Sequence, residues 1–259
     1  MELFDYIVAV YFGKRRSKMY SREIEANPFI FVEEHFKFLS ENQSKVSGLS
    51  EVFFVCNLHN KEEQLPVVQS WFDDIQSKYQ TGVGVNVIYR ENENFSYGAW
   101  NEALTQITQE ETLSKYAFLI EDDYVPYTPD FCLPYISKIK EDSSYGFVAS
   151  LANVHKSSKK YHAAISNGLV SYSSVRQARE EFNSPFALKS PKIGGYGLGE
   201  HLQVNFLKHI THTHKLTDIS SEYSIPFYDV RKGLKFYGKP GGVFLIRPVG
   251  SNNIRPKNK

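Results

Sequence analysis

At 259 residues the chain is long enough for one large domain with a substantial core, and 41% apolar and 23% charged residues suit a globular protein. A formal net charge of +1 leaves no global field for nucleic acid or anionic lipid, and the basic clusters Lys14-Arg15-Arg16 and Lys156 to Lys160 lack nucleic-acid-module spacing. No apolar run approaches the ~20 residues needed to span a bilayer, and Met1 to Asp5 carries acid where a leader would be basic, so no transmembrane segment or signal peptide is expected.

Tyr6 to Phe12 is a continuous apolar run ending at Gly13, the pattern of a strand buried on both faces. Asn27-Pro28 then opens a helix with Phe29, Val32, Phe36 and Leu39 at helical spacing. Val52 to Cys56 reads as a second strand, followed by a helix with Val68, Trp71, Phe72, Ile75 and Tyr79 in phase. Gly84 to Tyr89 is a third strand and Tyr97 to Ile107 a third helix. Tyr116 to Ile120 is a fourth strand, and it runs straight into Glu121-Asp122-Asp123. Thr128-Pro129 should cap the next helix, with Cys132, Tyr135, Ile136 and Ile139 inward, and Phe147 to Leu151 is a fifth strand. Four βα units in succession predict a mostly parallel sheet covered by helices on both faces. Cys56 and Cys132 both lie in apolar runs, which predicts buried, reduced thiols and a cytoplasmic setting.

Beyond residue 151 regularity falls away. Ala163 to Tyr172 has strand character, Ser174 to Gln177 has capping-box spacing before a short helix, and Gly194 to Gly199 is a glycine-rich loop leading into a helix over 200–210. The tail from Phe236 to Arg247 holds one more strand-like run, Gly242 to Ile246.

In a parallel α/β sheet, ligands bind in the crevice beyond the carboxyl ends of the strands. Glu121, Asp122 and Asp123 lie at such an end. Three adjacent carboxylates repel one another unless a cation or hydrogen-bond donors offset the charge. A hard divalent ion, Mg²⁺ or Mn²⁺, is the natural partner; a solvated acidic turn is the bland alternative.

Phe118 to Asp123, followed by Pro129-Asp130-Phe131, resembles the DxD segment of GT-A fold glycosyltransferases in its EDD form. Arg90 to Asn94 and Gly98 to Leu104 resemble the Asn/Gly stretch that family-2-type members carry before that strand. The resemblance spans roughly residues 5 to 150 in element order. It implies a GT-A-like, Rossmann-like α/β domain over residues 1–259, with a nucleotide-sugar half to about 150 and an acceptor half beyond. It further implies a UDP- or GDP-sugar donor, a divalent metal, and a glycan or other hydroxyl acceptor. Asp123 would ligate the metal, with Asp122 and Glu121 near the ribose and the metal's water shell. Tyr11 and Asn57 would contact the base, and Glu91, Asn94, Gly98 and Asn101 would line the nucleotide side.

Gly197-Leu-Gly-Glu200-His201 resembles the Gly-Glu-Asp motif of inverting members, with His201 where the basic Asp is usual. Glu200, held ionised at a helix N-terminus, is the expected base, and His201 is the alternative. Lys235 and Lys239 are candidate diphosphate contacts, while His209, His212 and His214 lack the spacing of a closed metal site. A nucleotidyltransferase acting on a sugar phosphate and a non-catalytic carbohydrate-binding module are the rival readings. The first would normally carry a glycine- and Arg/Lys-rich loop after the first strand, which Gly13 to Arg16 only faintly suggests.

Overall fold

Phe4–Phe12 forms the central strand β1, and its side chains divide between the two faces of a sheet. Phe4, Tyr6, Val8, Val10 and Phe12 enter one apolar layer, and Ile7 and Ala9 the other. With both faces covered, the run has no need to alternate with polar residues. A computed structural model of the chain describes residues 2–13, 15–17, 22–24, 28–126, 128–143, 145–149, 152–154, 161–163, 168–185, 215–218, 227–229, 234–239 and 243–248.

In chain order, β1 is followed by an antiparallel pair, β2 (Arg15–Ser17) and β3 (Arg22–Ile24). Next come α1 (Pro28–Glu41), β4 (Leu49–Leu58), α2 (Lys61–Lys78), β5 (Gly84–Glu91), α3 (Phe95–Ile107) and β6 (Tyr116–Glu121). They lead to β7 (Tyr124–Pro126), α4 (Leu133–Glu141), β8 (Tyr145–Ala149), β9 (Ala152–Val154), β10 (Tyr161–Ala163), β11 (Gly168–Ser171) and α5 (Tyr172–Phe182). The remaining strands are β12 (Lys215–Asp218), β13 (Phe227–Asp229), β14 (Leu234–Lys239) and β15 (Val243–Pro248).

Among the described residues the main sheet has seven strands in the order β12-β8-β11-β6-β1-β4-β5. Of these, β11 is antiparallel to its neighbours β6 and β8, and the other six share one direction. From β1 the chain steps outward to β4 and β5, then returns to lay β6 on the opposite side of β1. The strand order therefore reverses between β1 and β6. Connections leave in opposite directions there, and it is beyond the carboxyl ends of the strands at such a switch point that open α/β sheets bind ligands.

Helices α1, α2 and α4 cover one face through Val32, Phe36, Val68, Phe72, Tyr135 and Ile139; α3 and α5 cover the other through Trp100, Leu104, Tyr172 and Val175. Among the described residues no helix is long and apolar enough to cross a membrane. Cys56 and Cys132 are buried free thiols, as expected.

Three local expectations shift. Thr128-Pro129 does not open α4. Residues 128–132 form turns, with Phe131 N–H donating to the Thr128 carbonyl at 3.2 Å, and the helix starts at Leu133 with Pro134 in its first turn. The delay seats Phe131 in the core, its ring 5.9, 5.6, 6.0 and 5.0 Å from those of Phe4, Tyr6, Phe38 and Phe118. The cap of α5 is Ser171, whose Oγ accepts from Ser174 N–H at 3.3 Å, because β11 passes directly into the helix. Within the strand expected over 163–172, β11 occupies Gly168–Ser171 and Tyr172 already opens α5, while residues 164–167 lie outside the described ones.

Strands β15-β14-β13-β7 make a second sheet, in which Phe227, Tyr228 and Asp229 of β13 pair with Pro126, Val125 and Tyr124. The carboxyl-terminal strands thus return to the segment immediately after the acids.

Candidate functional site

The sheet register assembles the site. Tyr11 pairs with Asn57, and Asn57 with Arg90, so the ends of β1, β4 and β5 present these three residues in one row. On the other side of β1, Glu121 pairs with Ala9, two residues before Tyr11, so Asp122 and Asp123 follow level with the end of that row. The acids stand at the switch point itself.

Their environments differ. Glu121 faces the α3 side and accepts from the Ser96 hydroxyl at 2.7 Å. Asp122 and Asp123 are both completely buried. The Asp122 carboxylate accepts the Tyr11 N–H at 3.2 Å, and its own N–H donates to the Ala9 carbonyl at 3.0 Å. The acid segment is therefore stitched to β1 through both main chain and side chain.

A third tie comes from α1. His35 Nε2–H donates to the Asp122 carbonyl at 2.9 Å, and the Tyr6 hydroxyl lies 2.9 Å from His35 Nδ1. A carbonyl can only accept, so the hydrogen sits on Nε2 and Tyr6 donates to Nδ1. Burial pulls the imidazole pKa down to about 4, against the opposing pull of the Asp122 carbonyl, and pushes the Tyr6 phenol well above its ordinary value. Both therefore hold a fixed neutral form around neutral pH. Neither residue was singled out from sequence, although His35 shares the stripe of Val32, Phe36 and Leu39, a signal that it faces inward.

On the opposite flank, Asn57 is 1% exposed and its amide oxygen accepts from Arg90, a residue to which the sequence reading gave no role. Arg90 Nη1 also donates to the Glu93 carbonyl at 3.0 Å. Burial lowers the Arg90 pKa, with Glu102 and Glu93 acting the other way. Glu91 is exposed at the end of β5. Asn94 precedes α3 with left-handed backbone (φ 59°), and its carbonyl accepts the Gly98 N–H at 3.0 Å. Asn101 lies one turn further on, where its Oδ1 accepts from the Ser184 hydroxyl at 2.9 Å and ties α3 to the segment after α5.

Gly98 is where this flank is tightest. A Cβ there would lie 2.0 Å from the Glu93 carbonyl oxygen and 3.0 Å from both terminal nitrogens of Arg90. Gly98→Ala is expected to cost about 1–3 kcal/mol in urea denaturation, as overpacking displaces the 93–98 turn and Arg90 with it. Unchanged stability would show that this turn yields freely.

No protein-family model matches the chain, and no curated protein matches it in sequence. Solved structures do match. A mannosyltransferase from Pyrobaculum calidifontis, in complex with GDP-Man and Mn²⁺, superposes with a TM-score of 0.51 at 13% identity, covering 83% of this chain and 54% of its own. The present chain thus spans about half the length of that protein. The fold is GT-A-like.

Two further structures align with lower scores. The 4-diphosphocytidyl-2C-methyl-D-erythritol synthase of Anaerococcus prevotii gives a TM-score of 0.48 at 10% identity over 84% of this chain and 86% of its own. The glucosyl-3-phosphoglycerate synthase of Mycobacterium tuberculosis, in complex with Mn²⁺, UDP and glucosyl-3-phosphoglycerate, gives 0.42 at 10% over 84% and 70%.

In this GT-A-like frame the donor set can be compared with a cation's needs. Among the described residues no group of three or more His, Cys, Asp or Glu side chains is placed to hold a metal. A cation here would take one or two protein carboxylates and complete its shell with phosphate and water, as Mg²⁺ and Mn²⁺ do and structural zinc does not. Asp122 and Asp123, adjacent and buried at the switch point between β1 and β6, supply carboxylates in that number. Glu200 and His201, with His209, His212 and His214, lie outside the described residues; Lys235 and Lys239 lie on β14.

Proposed function

We propose that the chain is a metal-dependent glycosyltransferase that moves a sugar from a nucleoside-diphosphate sugar to an acceptor hydroxyl with inversion. The observation that carries this reading is the burial of Asp122 and Asp123 side by side at the switch point between β1 and β6. Neighbouring carboxylates repel, and a divalent cation bridging to a diphosphate offsets that repulsion. The mannosyltransferase sharing the fold, bound to GDP-Man and Mn²⁺, supports the same ligand class.

In this reading Asp123 holds the cation, with Asp122 and Glu121 beside it toward the ribose and the ion's waters. When bound, the cation neutralises charge on the departing diphosphate. Tyr11, Asn57, Glu91, Asn94, Gly98 and Asn101 form the nucleotide side. Residues from about 151 onward shape the acceptor side, which β13 joins to the acid segment through β7. Glu200, with His201 as the alternative, accepts the acceptor hydroxyl proton. The acceptor oxygen bonds to the anomeric carbon as its bond to the diphosphate breaks. The buried free thiols support work in the cytoplasm, on its own or at a membrane surface.

Calorimetry with UDP and GDP, in Mn²⁺ and in EDTA, tests the reading. At least one should bind with an affinity that depends on the metal, and a donor screen should then give turnover with an inverted product by NMR. Failure of both nucleotides to bind in Mn²⁺ would remove the basis for this function.

A further inference from the structure

Asn94 and Phe95 are consecutive residues in the left-handed backbone region, at φ 59° and φ 51°. Asn tolerates this conformation because its short amide bonds locally, but for a bulky side chain it is a steric outlier. Packing offers no compensation of the usual kind. The Phe95 side chain is 47% exposed, whereas Gly98, Ala99 and Trp100 in the same helix are buried.

The strained residue is clamped on both sides. The Ser96 hydroxyl donates to Glu121 Oε1 at 2.7 Å, and Gly98 N–H donates to the Asn94 carbonyl at 3.0 Å. Phe95 therefore lies beside the switch point, in the chain between the end of β5, where Arg90 is held by Asn57, and Ser96, whose hydroxyl bonds the first acid of the triplet. Backbone strain of this kind persists where its surroundings over-determine it, and it concentrates at ligand sites. A phenyl ring brings no charge and no hydrogen-bonding group. It has nothing to offer a phosphate, but it presents a flat π face to a planar heterocycle.

We propose that the ring of Phe95 is a stacking platform for the nucleobase of the ligand at this switch point, an inference that rests on the nucleotide-sugar reading above. Stacking of a base on an aromatic side chain tolerates any base identity and contributes about tenfold in affinity.

The test titrates UDP, GDP and inorganic pyrophosphate, each with Mn²⁺, into wild type, Phe95→Gly and Phe95→Trp, and records melting temperatures. Glycine relieves the positive φ, so Phe95→Gly should melt at the same or a higher temperature yet bind the nucleotide about tenfold more weakly. Pyrophosphate, which has no base, should bind both proteins equally, and Phe95→Trp should keep nucleotide affinity. Nucleotide binding by Phe95→Gly equal to wild type overturns the proposal alone. So does an equal loss for pyrophosphate, or a melting temperature that falls in step with affinity, since the ring would then be holding the fold. If wild type binds no nucleotide in Mn²⁺, the proposal falls together with the functional reading.

Discussion

Asp123→Ala is expected to abolish the manganese-dependent part of UDP or GDP binding, a loss of about 100-fold or more in affinity. Removing even an outer partner of a metal ligand costs about 10–100-fold, so removing the carboxylate that grips the ion should cost at least the upper end of that range. The residue is completely buried at the carboxyl end of β6, so alanine removes packed volume as well as charge. Asp123→Asn separates the two. It keeps the volume, removes the charge, and should bind the nucleotide as poorly as the alanine variant while melting close to wild type. Calorimetry in Mn²⁺ and in EDTA reads the effect directly. Glu121→Gln provides the contrast: the Ser96 hydroxyl can still donate to an amide oxygen, so the α3 contact survives and the loss should be smaller. Metal-dependent binding that survives in both Asp123 variants would show that the buried acids serve some other purpose.

How much of this site was legible in the sequence depends on how local each signal is. The run Tyr6 to Phe12 is readable because a strand covered on both faces is apolar throughout, and β1 proves to be the centre of the sheet. The acid triplet is readable because it follows directly on β6. The switch point is not, because it depends on which strands flank β1, and those pairings join residues about 45 and 110 positions apart. The role of His35 is hidden for the same reason: its partner is the main-chain carbonyl of Asp122, 87 residues away. No side-chain pattern announces a contact with a carbonyl.

The misplaced starts of α4 and α5 have a different origin. Thr128-Pro129 and Ser174 to Gln177 both carry sound local capping chemistry. At the first, seating Phe131 among Phe4, Tyr6, Phe38 and Phe118 outweighs an early helix start; at the second, Ser171 already occupies the cap. Phe95 shows the limit most clearly. Its aromatic character is visible in the chain, but its left-handed backbone is a property of the folded turn.

The His35 clamp makes a prediction about acid stability whose sign follows from its pKa. In the unfolded chain the imidazole titrates near 6.5, and in the folded protein near 4, because burial disfavours the charged form. Between those values the unfolded state binds more protons than the native state, so stability falls as pH drops. The contribution is fully present above about pH 6.5 and is lost as the pH falls toward 4. The gap corresponds to roughly 3 kcal/mol, at about 1.4 kcal/mol per pH unit. Asp5 acts in the opposite sense. Burial raises its pKa against the bonds from Tyr172 and Ser114, so its contribution is present at low pH and lost as pH rises through its folded value. A wild-type curve alone would blend the two. The measurement is therefore the difference between wild type and His35→Gln in urea denaturation at pH 7, 6, 5 and 4. The substituted amide can still donate toward the Asp122 carbonyl but does not titrate, so the variant should start less stable at pH 7 and converge on wild type by roughly 3 kcal/mol as the pH falls to 4. Parallel curves for the two proteins would mean that His35 is protonated to the same extent folded and unfolded, and that the neutral Tyr6–His35–Asp122 chain does not hold the acids in place.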